Sequence, residues 1–168
     1  MSAARDILKN FNLFIDGRGY AGNADEVQLP TLNIVEEDFR AGGMDGTIGL
    51  DMGMEKLELS FTLSKYDKDA LAQWGLGNAE TPVTLRGALE SRDGTVTPVV
   101  VNARGNFKGV EFGAWQPGAK SSLTFTATLT FFRYTQGGTV VHEIDVLNMV
   151  RKINGVDRLA AQRAAIGL

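Results

Sequence analysis

Apolar and hydroxylic residues alternate from Lys120 to Tyr134 (KSSLTFTATLTFFRY). Leu123, Phe125, Ala127, Leu129 and Phe131 are separated by Thr124, Thr126, Thr128 and Thr130, with Ser122 leading in. A period of two describes a β-strand with one buried and one wet face. No charge interrupts the run before Arg133. A strand this long and smooth needs partners on both edges, from the rest of the chain and, since no charge protects those edges, from neighbouring subunits. Lys56 to Leu63 (KLELSFTL) repeats the pattern. Leu57, Leu59, Phe61 and Leu63 share one face, and Lys56, Glu58, Ser60 and Thr62 share the other.

The remaining chain supplies partners for these two strands. Asn12 to Asp16 predicts a short strand followed by a turn at Gly17 and Gly19. Two extended pieces flank Pro30, which belongs at an edge or a break. Asp67 to Trp74 predicts a helix with Asp67 as N-cap, Leu71 and Trp74 facing the core, and Gly75 and Gly77 ending it. Val83–Leu89 and Val96–Ala103 form strands joined at Asp93-Gly94, a strong hairpin signal. Phe107–Phe112 is a further extended piece. Pro117-Gly118 turns the chain into the long strand, and Gly137-Gly138 turns it back through Thr139–Asp145. Asn154-Gly155 precedes a short helix over Asp157–Ala165, with Val156, Leu159, Ala160 and Ala164 on one side. Trp74 and Trp115 read as core or interface anchors. With no linker or repeat, the prediction is one domain over residues 1–168, mainly β. It has two packed antiparallel sheets, a sandwich or open barrel, and one or two short helices.

Glu36 to Met54 (EEDFRAGGMDGTIGLDMGM) breaks the alternation. Its five glycines and three methionines show no sustained period, and it is too long for an ordinary hairpin turn. It is either a loose loop or an adaptable arm that packs on another chain, ordered only on docking, with Met44, Ile48, Leu50, Met52 and Met54 exposed until then. Composition narrows the chemistry. The chain has no cysteine, which removes disulfides, thiolate zinc sites and cysteine nucleophiles. A net charge of −3 advertises no nucleic-acid-binding surface. The single histidine, His142, has no histidine or cysteine near it in sequence to share a metal or a proton relay. Glu36, Glu37 and Asp38 lack the spacing of a calcium loop, and the glycine stretch lacks a phosphate-binding pattern. No enzyme activity, cofactor or metal is expected. Neither a signal peptide nor a membrane span is expected.

Several segments, in order, resemble the major tail tube proteins of contractile-tailed phages, a family that includes the tubes of headless R-type pyocins. They are LFIDG (Leu13–Gly17), LPTL (Leu29–Leu32), RAGGMD (Arg40–Asp45), LDMGM (Leu50–Met54), EID (Glu143–Asp145) and INGVDRLAAQRAAIGL (Ile153–Leu168). The resemblance implies two packed β-sheets that join in a six-fold ring to form one continuous inner barrel. Rings stack into a hollow tube inside a contractile sheath, and contraction drives the tube through a cell envelope. It assigns Arg40, Ala41, Gly42, Gly43, Met44, Asp45, Leu50, Asp51, Met52, Gly53 and Met54 to contact with the next ring. Thr124, Thr126, Thr128 and Thr130 are the candidates for the lumen lining, their parity being set by the alternation. Implied partners are further copies of the chain, the tail sheath protein, and tape-measure and baseplate proteins. In a phage, DNA passes through without specific binding. The implied location is a virion tail or tailocin particle, assembled in the host bacterial cytoplasm. A type VI secretion tube protein and a monomeric β-sandwich binding module are the alternatives.

Overall fold

The computed structural model describes residues 3–168. Its strands, in chain order, are β1 (Ile7–Ile15), β2 (Arg18–Gly19), β3 (Ala24–Gln28), β4 (Ile34–Phe39), β5 (Ile48–Met54) and β6 (Leu57–Leu63). After helix α1 (Lys68–Leu71) come β7 (Thr81–Glu90), β8 (Val96–Phe112), β9 (Leu123–Gln136), β10 (Thr139–Asp145), β11 (Val150–Ile153) and β12 (Val156–Asp157), and then helix α2 (Ala160–Ile166). Ten strands hydrogen-bond into one antiparallel sheet in the order β12-β11-β10-β9-β8-β7-β1-β2, with β6 added to β9 and β3 to β6. Among the described residues, strands β4 and β5 pair only with each other.

The long alternating stretch becomes β9, and it is the centre of the sheet. One edge pairs with β8 along the whole strand. The other edge is shared: β6 takes Leu123 to Leu129, and β10 takes Phe131 to Gln136. The edges of β9 are therefore satisfied inside the subunit, contrary to the expectation that neighbours supply partners for them as well. The free edges lie elsewhere. Among the described residues β3 pairs only with β6, β1 meets β2 only at Phe14 and Ile15, and the two-residue strands β12 and β2 end the sheet, so the long unpaired edges are those of β3 and β1. An apolar cleft of about 370 Å³, lined by Leu8, Phe11, Val27 and Leu29, separates these two strands.

Between its two partners β9 slips. Opposite Arg104 and Gly105 of β8 the register shifts past Thr130, and the alternation reverses. Leu123, Phe125, Ala127 and Leu129 are buried, but beyond the shift Phe132 is buried instead of Phe131. Phe131, placed on the buried face by its spacing, lies half-exposed beneath the guanidinium groups of Arg104 and Arg133. Gly105 permits this crossing, because a Cβ there would stand 2.0 Å from the carbonyl oxygen of Thr128. The two extended pieces predicted on either side of it are one strand of 17 residues.

The sheet curls until its two walls share a core. Phe61 stacks on Phe125 at 5.0 Å, and Phe107 meets Phe61 edge-on at 5.6 Å. Leu13, Ile15, Val83 and Val101 join the same cluster. Full burial of each such side chain is worth roughly 1.5–3 kcal/mol. Asp16-Gly17, Gly137-Gly138 and Asn154-Gly155 close hairpins with positive φ at both residues, the conformation that fits the twist of two-residue hairpins.

The helices match their predicted faces only in part. Asp67 caps α1 as expected, accepting from the Asp69 amide, and Leu71 packs against the core, but the fully buried residue is Ala70. Trp74 lies past the helix, exposed, with its indole N–H donating to the Lys108 carbonyl at 3.0 Å. Trp115 is 79% exposed and donates to the Tyr66 hydroxyl. Helix α2 buries no side chain: Ala160 and Ala164 are exposed, as is Val156, and only Leu159 is half-buried. Arg163 holds the helix instead, donating to the Met149 carbonyl at 2.8 Å and to Asp157 at 2.6 Å.

Candidate channel face and assembly arm

The threonines of β9 project from the face of the sheet opposite the core and are half-buried among cross-strand neighbours. Thr124 lies between Thr62 of β6 and Glu111 of β8, Thr126 between Ser60 and Gly109, and Thr128 between Glu58 and Asn106. Strand β3 extends the same field with Glu26 opposite Thr62 and Gln28 opposite Ser60. Thr130 stands apart at the register shift and donates to Glu80. The result is a broad polar face, hydroxylic at its centre and acidic at its margins.

Two lysines flank this row, and both are bonded to one carboxylate. Lys56 lies 3.0 Å from Glu58, and Lys108 reaches the same oxygen from β8. Lys108 occupies a bulge where β8 slips between Phe107 and Gly109, and a bulge re-aims the side chain it carries. Hydrogen bonds from Lys108 and then Lys56 hold the Glu58 carboxyl below the usual carboxylate range. Beside them a polar hollow of about 360 Å³ is lined by Gln28, Thr31, Ser60 and Thr126.

The stretch expected to remain without structure until docked is a β-hairpin. Its register runs from Ile34↔Met54 through Glu37↔Leu50 to Phe39↔Ile48. Arg40 to Asp45 form its tip, where Met44 N–H donates to the Ala41 carbonyl at 3.2 Å and Arg40 Nε donates to the Met44 carbonyl at 3.3 Å. Gly43 has φ +86°, a left-handed conformation that branched residues resist, whereas Gly42 does not. Phe39, Ile48, Leu50 and Met52 are exposed. Met44 and Met54, expected to be exposed as well, are half-buried, and Met54 packs against the core. Alternation was invisible here because both faces of the ribbon are open to solvent.

At the arm's root Asp51 accepts from Arg151 at 2.8 Å, across 100 residues of chain. The Gly53 amide and then the Arg151 guanidinium keep the Asp51 carboxyl below its usual range. Below this ion pair opens a mostly apolar groove of about 820 Å³, bordered by Met52, Met54, Leu57, Leu129, Ile144 and Met149. Neither the Asp51–Arg151 pair nor the Glu58–Lys108 pair has a local sequence signal. Only the parity of KLELSFTL, which puts Glu58, Ser60 and Thr62 on the wet face, could have enlarged the threonine row.

Titratable groups elsewhere serve the fold. Tyr20 and Asp67 are buried, and the Tyr20 hydroxyl donates to the Asp67 carboxylate. Burial, then the Asp67 bond, raises the Tyr20 pKa far above its ordinary value, and the same bond lowers that of Asp67. His142 stands in β10 with its ring 6.3 Å from that of Tyr134. Among the described residues, no group of three or more His, Asp or Glu side chains is placed to hold a metal, and no helix is long and apolar enough to cross a membrane.

This curled sheet with an appended hairpin is the fold of contractile injection tubes. It superposes on a chain of the sheath-tube complex of an extracellular contractile injection system (PVC) with a TM-score of 0.57, at 9% identity, covering 75% of this chain and 88% of that one. A chain of the sheath/tube terminator of the same system gives 0.58, covering 75% and 93%. The family model described as phage tail tube protein FII matches residues 5–167, and the chain belongs to that family. It is 33% identical over 168 residues to the tail tube protein of Escherichia phage P2, covering 96% of each. It is 26% identical over 150 residues to the major tail tube protein of Serratia phage KSP20, covering 88% of this chain and 87% of that one. The chain is therefore a structural tail tube subunit, a component of a virion tail.

Proposed function

We propose that six copies close into a ring, that rings stack into a hollow tube, and that the β9 threonine face lines its channel. The observation that carries this reading is that β3 and, ahead of Phe14, β1 each leave a long strand edge unpaired, whereas the central strand β9 is paired on both sides within the subunit. Such edges are hazards in a free protein and are removed when copies close a barrel. The arm is the inter-ring connector, through Arg40–Asp45 at its tip and Leu50–Met54 along β5. Its exposed Phe39, Ile48, Leu50 and Met52 supply the apolar contact.

A face of hydroxyls and carboxylates suits a channel for DNA, because free basic side chains would hold phosphate. The tube would sit inside a sheath, end on a baseplate, enclose a tape-measure protein during assembly in the host cytoplasm, and cross the target envelope without catalysing a reaction. Negative-stain microscopy and gel filtration of the purified chain test the assembly. Rings or tubes are expected, and a compact monomer at high concentration would overturn the reading. Tubes carrying Thr126→Lys with Thr128→Lys should still form and should retain linear duplex DNA. Failure to retain it would move the row out of the channel.

A further inference from the structure

We infer that Glu58 is a charge mask: its carboxylate holds Lys56 and Lys108 together and keeps both from capturing the phosphates of passing DNA. The inference rests on the channel reading of the β9 face. On that face the threonine row is flanked by two ammonium groups, and each is bonded to Glu58. Glu58 lies directly opposite Thr128 in the register, so the three charges stand beside the row itself. Lys108 reaches Glu58 from the bulge in β8, so the contact is built into the strand geometry and is not a chance meeting of surface chains. Nearby carboxylates of Glu55, Glu26 and Glu111 add negative potential. Arg104 projects farther along the sheet and lies over Phe131.

Unmasked, the two lysines would act as a set. Six-fold repetition would multiply them to about twelve cations per ring, and each phosphate neutralised adds about −0.9 to the salt slope of duplex binding. One carboxylate held against both ammonium groups leaves a net charge of +1 where there would be +2, and accepts hydrogen bonds that the lysines would otherwise donate to phosphate.

The test uses tubes assembled from the full chain and two probes, a short linear duplex, which can enter an open end, and a small closed circular duplex, which cannot thread the lumen. Tubes of Glu58→Gln, Glu58→Gln with Lys108→Ala, and Thr126→Lys with Thr128→Lys are compared with wild type across 50–200 mM salt, the range in which multi-phosphate contacts weaken by about a thousandfold or more. Glu58→Gln is expected to bind the linear duplex at least about tenfold more tightly at the low end, with a steeper salt slope, and not the circle. Adding Lys108→Ala should remove roughly half of the added slope. If Glu58→Gln gains nothing while the threonine-to-lysine tubes do, the mask is overturned and the channel reading stands. Gain by neither variant overturns both, as does equal retention of the circle.

Discussion

Gly105 and Gly46 show how differently one methyl group weighs at two positions. A Cβ at Gly105 would stand 2.0 Å from a backbone oxygen of the central strand, whereas at Gly46 it would meet nothing within 4 Å. Gly105→Ala should cost at least about 1–3 kcal/mol as overpacking against a backbone that cannot yield. Gly46→Ala should remain within about 0.5 kcal/mol of wild type. Urea unfolding midpoints compare the two. The Tyr20–Asp67 bond offers a second test. Tyr20→Phe should lose about 1.5–3 kcal/mol near neutral pH, the worth of a hydrogen bond to a charged group. Asp67 has a lowered pKa, so its share is present above the ordinary carboxylate range and fades as pH falls below about 4. Tyr20 has a raised pKa, so its share is full below about pH 10 and fades as pH rises beyond it. The gap between wild type and variant should thus close at both extremes; a constant gap would assign the loss to packing. Neither feature was legible in the sequence. Gly105 falls between the two extended pieces predicted for β8 and carries no local signal of its contact with β9, and Tyr20 and Asp67 find each other only through the fold.

At the scale of elements, period-two patterns carried the reading. The buried parity of β6 and of β9 as far as Leu129 emerged as predicted, because each strand has one dry face. Helix α2 was legible as a helix but not in how it is held. A row of opposite charges crosses the sheet beside it, Arg133 facing Glu143, Glu143 facing Lys152 and Lys152 facing Asp157, and Arg163 closes the row. Cross-strand pairs of this kind contribute roughly 0.2–1 kcal/mol each. Arg163→Met keeps an unbranched apolar stem and removes the guanidinium with its bonds, so α2 should undock while the core remains. Amide exchange should accelerate across Ala160–Ile166 and stay slow in β9. Acid should have the same effect on wild type, since the Arg163 bond lowers the Asp157 pKa and protonation below about pH 4 weakens that tie.

For the whole molecule, the arm and the curled sheet are separable. The arm leaves the body where Ile34 pairs with Met54, and just inside that point the Glu55 amide donates to the Asn33 carbonyl at 3.0 Å. Replacing residues 35–53 by a two-residue turn should therefore spare the core, leaving the dilute thermal midpoint within a few degrees of wild type. In wild type the midpoint should climb with protein concentration, because association stabilises only the folded state. The arm-less protein should show less of that climb. The alternation of the long strand points to open edges on β9, which the fold closes within the subunit, whereas the unpaired edges at β1 and β3 follow from topology and not from any local pattern. The hairpin of the arm has one more consequence, for the kinetics of growth. Fixing a residue's backbone costs roughly 1–2 kcal/mol in lost freedom, and for residues 34–54 that cost falls on folding, before any encounter. A surface that receives the arm meets a finished ribbon, so elongation should proceed by rigid-body capture, set by collision and orientation instead of by a folding step at the growing end.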